Sequence, residues 1–95
     1  MLYTEDQIAF LKCMDFMRLG QAIDHKQWQS ASMIVRRLDD MAREAGINDF
    51  ERAFTGIRQS INRKDMAEAK QIMAIVVNKR AKYLNDMSKN NESLS

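Results

Sequence analysis

Taken by its apolar positions, the chain divides into four runs of helical spacing. The first opens at Thr4 and Gln7, which fit a capping box with Glu5 and Asp6 in the first turn. Ile8, Phe10, Leu11, Met14, Phe16, Met17, Leu19 and Ile23 then predict a helix running to about Ala22. Those positions cover more than one face, so this helix is either unusually buried or has a second surface to hide. After a turn over Asp24 to Gln27, the residues Trp28, Ala31, Ile34, Val35, Leu38, Met41, Ala42 and Ala45 recur at spacings of three and four and predict a second helix. Gly46 stands where a left-handed C-cap is expected, and Asn48 with Glu51 forms the next N-cap pattern. A third helix carries Phe50, Ala53, Phe54, Ile57 and Ile61. A fourth, capped by Asp65 and Glu68, carries Ala69, Ile72, Met73, Val76, Tyr83, Leu84 and Met87. Residues 89–95 are polar and lack apolar anchors, so a domain over 1–88 followed by a disordered tail is expected.

Two stretches repeat. "FMRLGQAIDHKQW" from Phe16 and "FTGIRQSINRKDM" from Phe54 share, in register, a Phe, a Leu or Ile, a Gln, an Ile, an Asp or Asn and a Lys. Each is the end of one helix, a short turn and the start of the next. Two similar helical hairpins follow, each too small to hide its own stripe. Packed together, they predict an all-α, up-down-up-down four-helix bundle. Two copies fall short of the roughly three that a stable solenoid needs.

Composition sharpens this picture. Ninety-five residues make one domain, one that buries only about 60–65% of its unfolded surface. Pro is absent, which suits an all-helical chain. A net charge of +2 is mildly basic, short of the dense patch of a nucleic-acid binder. One cysteine, Cys13, excludes an internal disulfide and a multi-cysteine zinc site; on an apolar run it is expected to act as a small buried hydrophobe. One histidine, His25, excludes an HExxH metal site and lies in a turn, where a solvated residue is expected. No cofactor or metal is called for. The opening "MLYTEDQ" reads as neither a signal peptide nor a membrane span, and a cytoplasmic location is expected by default.

Candidate chemistry is sparse. Asp39 and Asp40 are adjacent on a helix and point about 100° apart, so they cannot act as a facing pair. Asp39 with Arg43, and Arg36 with Asp40, are expected as solvated i,i+4 ion pairs. The methionines on the apolar stripes, Met14 and Met17 among them, are expected to fill core. Met33 and Ile75 lie far from the apolar centres of their helices and are candidate contact points. "NKRAKYLND" offers Lys79, Arg80 and Lys82 to phosphates, but Tyr83 belongs to the apolar stripe and is not expected to be a stacking platform.

From Phe16 to Leu84, the turns at Asp24 and Asp65 and the segment "VRRLDDMAREAG" resemble the histidine-containing phosphotransfer domains. Leu38 falls two past the position of that family's histidine, and Gly46 falls ten past it. The resemblance implies a small up-down four-helix bundle that meets the receiver domain of a response regulator. The chain departs at the decisive position: Arg36 stands where the phosphorylated histidine would be, with Asp39 and Asp40 at the family's Lys and Gly. A guanidinium stays charged and has no lone pair to attack an aspartyl phosphate. A non-enzymatic protein-interaction module is therefore expected, with Gln29, Met33, Arg36, Asp40 and Arg43 on the outer face of the second helix as its partner-binding stripe. The alternatives are a tetratricopeptide-like adaptor, a bundle that self-associates into a homodimer through the first helix, and a weak nucleic-acid-associated regulator.

Overall fold

Phe10 and Leu19 stand nine residues apart, which on one continuous helix would place them on opposite sides. Both have no exposed surface. The chain reconciles this by breaking at Lys12–Met14, so the single first helix expected from Thr4 to Ala22 is two, α1 (Glu5–Leu11) and α2 (Asp15–Asp24). At the break the Cys13 amide donates to the Phe10 carbonyl at 3.2 Å, and the Asp15 amide donates to Cys13 Sγ at 3.4 Å. Cys13 itself is half-buried against the core.

The computed structural model describes the backbone of residues 2–94 and the side chains of residues 2–89. It is all-α: α3 (Trp28–Ala45), α4 (Glu51–Asn62) and α5 (Met66–Leu94) follow the first two helices, and no strand occurs among the described residues. The tail expected over 89–95 falls, but for Lys89, outside the described side chains. Among the described residues no helix is long and apolar enough to cross a membrane.

Local signals account for three of the helix ends. Thr4 and Gln7 form the expected capping box, with the Gln7 amide donating to Thr4 Oγ1 at 3.1 Å and the Thr4 amide to Gln7 Oε1 at 3.0 Å. Gly46 ends α3 with φ of 74°, and the Ile47 amide reaches back to the Ala42 carbonyl at 2.9 Å, the Schellman pattern that favours glycine. Asp65 Oδ1 accepts from the Glu68 amide at 3.0 Å. Asn48 does not cap: α4 starts two residues later, with Phe50 at the N-cap and no side-chain bond there. Burial of the Phe50 ring outweighs the capping preference of Asn48.

The sequence repeat is also a repeat of geometry. Lys26 and Lys64 both take positive φ, 56° and 55°. Each is followed by the same 6→1 bond, Gln27 amide to Ala22 carbonyl at 2.8 Å and Asp65 amide to Ser60 carbonyl at 2.9 Å. Equivalent positions are buried in both copies: Phe16 with Phe54, Leu19 with Ile57, Ile23 with Ile61, Ala31 with Ala69, Leu38 with Val76. Ser60, the counterpart of Ala22, is fully buried and satisfies its hydroxyl by donating to the Gly56 carbonyl at 2.9 Å. Gly56 allows close approach, since a Cβ there would lie 3.0 Å from Ile72 Cδ1.

Packing runs in a cycle. α2 touches α3, α3 touches α4, α4 touches α5, and α5 touches α2, while α1 rests on α3 and α5. Under α1, the rings of Phe10, Phe16, Phe50 and Phe54 lie within 5.2–6.5 Å of one another. The broken first helix also corrects the role of two methionines. With Phe16, Leu19 and Ile23 facing inward on α2, Met14 and Met17 point outward and are 59% and 56% exposed rather than core.

Candidate functional site

α3 presents an amphipathic cylinder. Its inner face is Ala31, Ile34, Val35, Leu38, Ala42 and Ala45. The opposite face carries Gln29, Met33, Arg36, Asp40 and Arg43, all exposed. The stripe is therefore brought together on one surface, with Met33 59% exposed. Its members are not equally placed. Arg43 NH2 pairs with Asp39 Oδ2 at 3.1 Å, whereas no ion pair joins Arg36 and Asp40 among the described residues.

Asp39 is not the solvated surface group its letter suggests. It is 3% exposed and also meets Arg58 of α4 at 3.6 Å, so its carboxylate clamps α3 to α4. A second buried carboxylate does the same on the other flank: Asp15, at the start of α2, accepts from Arg37 Nε and NH2, both at 3.1 Å. That fork is the strong bidentate form of a charged hydrogen bond.

The basic cluster of α5 is also largely committed inside the molecule. Arg80 Nε donates to the Leu11 carbonyl at 2.7 Å, and its guanidinium lies 5.0 Å from the centroid of Phe16. Lys79 Nζ donates to the Asp49 carbonyl at 2.6 Å. Lys82 is exposed. His25 is an exposed residue closing α2. No group of three metal-ligating side chains occurs among the described residues.

A second constellation lies at the end of the bundle where α1 docks. Tyr3, just ahead of α1, donates its hydroxyl to Asp86 Oδ2 at 2.6 Å, and Tyr83 donates to Asp49 Oδ2 at 2.5 Å. The two rings meet edge to face with centroids 6.3 Å apart, and Tyr83 stacks on Phe50 at 5.9 Å. The hydrogen bond to the Asp86 carboxylate, with a smaller contribution from burial, pushes the Tyr3 phenol up to about 12. Burial first, then Asp49, raises Tyr83 as well.

Two cavities flank this pair of rings and share Tyr3, Asp49, Tyr83 and Asp86. The larger, about 510 Å³, is an open groove that adds Ile75, Lys79 and Lys82. The smaller, about 330 Å³, adds Leu2, Thr4, Gln7, Gly46 and Ile47. Tyr3, Asp49 and Asp86 carry no motif in the sequence. Their only signal is an aromatic residue ahead of a capping box, and the Tyr3–Asp86 and Tyr83–Asp49 bonds span 83 and 34 positions.

Comparison with known proteins returned no matching family model, no matching curated protein and no matching solved structure.

Proposed function

We propose that this chain is a cytoplasmic, non-enzymatic protein-interaction module. It is built as an up-down-up-down four-helix bundle from two similar hairpins, with α1 as an added segment, and is a degenerate relative of phosphotransfer domains that docks a receiver domain. The observation that carries the reading is the outer face of α3, where exposed Met33 sits among Gln29, Arg36 and Asp40. An apolar residue with polar neighbours at helical spacing has the apolar-centre, polar-rim form of protein contact surfaces. Arg36, exposed at the centre of that stripe, supplies a fixed positive charge in place of a nucleophile.

Two observations weigh against the alternatives. α2 touches α5, which favours a closed ring over the open array of a tetratricopeptide-like adaptor. Lys79 and Arg80 are spent on backbone carbonyls and an aromatic face, which leaves little of the fourth-helix basic cluster for nucleic acid. Exposed Met14 and Met17 keep self-association through α2 as the second reading.

Titration of the labelled chain against receiver domains, with and without a phosphate mimic, tests the first reading. Saturable binding is expected, and Met33→Glu and Arg36→Glu should each weaken it about tenfold or more while shifting stability by no more than about 0.5 kcal/mol. Uniform absence of binding removes the receiver-docking reading. A mass that rises with concentration in light scattering and falls back with Met17→Glu supports the second.

A further inference from the structure

The smaller cavity beside Tyr3 and Tyr83 has a one-sided chemistry. Its charged lining residues are Asp49 and Asp86, both carboxylates. Lys79 and Lys82 line the larger groove but not this cavity, and Lys79 is already bonded to the Asp49 carbonyl. Gly46 brings the C-terminal end of α3 to the wall, where the helix dipole is negative. Two aromatic rings, set at 78° to each other, form part of the wall.

The hydrogen-bond inventory points the same way. Each tyrosine hydroxyl donates its hydrogen bond to a carboxylate, at 2.5 and 2.6 Å, and keeps its proton. An ionised carboxylate offers about four acceptor sites, so each aspartate keeps acceptor capacity beyond its tyrosine. A visitor that brings donors and no acceptor, carries positive charge and has a flat face for an aromatic wall satisfies every one of these features. Guanidinium is that group: planar, permanently charged, with five N–H donors. A volume of about 330 Å³ lies at the small end of ligand pockets and suits a single side-chain head.

We propose that this cavity binds the guanidinium of an arginine side chain presented by a partner protein, held between the carboxylates of Asp49 and Asp86 and against the rings of Tyr3 and Tyr83. The site is separate from the α3 stripe and does not depend on the receiver-docking reading. A bound cation would also offset the field of the carboxylates and draw the Tyr3 phenol back down from about 12.

The test uses N-acetyl-arginine amide titrated into the full chain and followed by the tyrosine ring resonances. N-acetyl-citrulline amide is the neutral isostere, and N-acetyl-glutamate amide and tetramethylammonium are charge controls, all at matched ionic strength. Arginine amide should shift both rings saturably and bind about tenfold or more tightly than citrulline amide. Asp86→Asn and Asp49→Asn, both at exposed positions, should each remove most of that preference while leaving the circular dichroism unchanged. If one variant loses its fold, the other still decides. Equal binding of arginine and citrulline, a preference insensitive to both substitutions, stronger binding of the glutamate probe, or tetramethylammonium binding as tightly as arginine would each overturn the assignment.

Discussion

Phe54 has no exposed surface and meets the rings of Phe10, Phe16 and Phe50 at 6.5, 6.5 and 5.6 Å. Truncating it removes contacts to α1, α2 and the start of α4 at once. Phe54→Ala is expected to cost about 3–5 kcal/mol in urea unfolding, the usual range for a fully buried phenylalanine. A loss below about 1 kcal/mol would mean the site collapses around the smaller side chain instead of leaving a cavity. Lys64 offers a change of the opposite sign. Its φ of 55° costs an L-residue about 1–2 kcal/mol that glycine avoids, though glycine gives back part of this in unfolded-state entropy. Lys64→Gly should therefore raise stability, by about 0.5–1 kcal/mol, and Lys26→Gly should act likewise because the two turns are copies. At this scale, apolar letters at helical spacing were legible: Leu38, Ile57 and Val76 are buried where periodicity puts them. Asp39 was not. Its pair with Arg43 on the same helix follows from the spacing, but its burial comes from the packing of α4, which brings Arg58 to the same carboxylate as a second cation.

Elements follow their end signals wherever the signal and the core agree. The Thr4 box, the Gly46 cap and the Asp65 cap all stand, since each satisfies amides or carbonyls that have no other partner. The break at Lys12–Met14 has no such signal, because the segment holds neither Pro nor Gly. What foretells it is the excess of apolar positions around the first predicted helix, which no single face can hold. Arg80 then secures the broken piece. It bonds the Leu11 carbonyl at the end of α1 and covers Phe16 at the start of α2. Arg80→Met keeps an apolar stem but removes both interactions, and should cost about 1–2 kcal/mol, given the worth of a charged hydrogen bond to a partly exposed site. The loss should be local: amide exchange in α1 should quicken more than in α3. Equal acceleration throughout would show that Arg80 supports the bundle generally and not the docking of α1.

At the scale of the whole molecule, the two hairpins match through their turns and diverge at one end. Ala42 and Ala45 of the first copy correspond to Arg80 and Tyr83 of the second. These two larger residues, with Asp86 one turn on, are what α5 uses to hold the segment that has no counterpart in the repeat. Duplication alone would give a symmetric bundle; α1 closes one end of it, and the closure rests partly on two phenol–carboxylate bonds. That arrangement gives stability a dependence on high pH whose sign can be worked out. Both phenols are held above the value near 10 that they have in the unfolded chain, Tyr3 at about 12. Below pH about 10 the phenols are protonated in both states, and their contribution is fully present. As pH rises past about 10 the unfolded chain releases these protons while the folded chain retains them, so stability falls, and it goes on falling through about pH 12. Lysines titrate in the same window, and the tyrosine part is isolated by the double variant Tyr3→Phe with Tyr83→Phe. Its urea midpoint should be lower than that of the parent at pH 8, where the two hydrogen bonds are intact, and should decline less steeply between pH 9 and about 11. Parallel declines in the two proteins would mean that neither phenol keeps its proton in the folded state, and that the end of the bundle at α1 is held by Phe10, Leu11 and Arg80 alone.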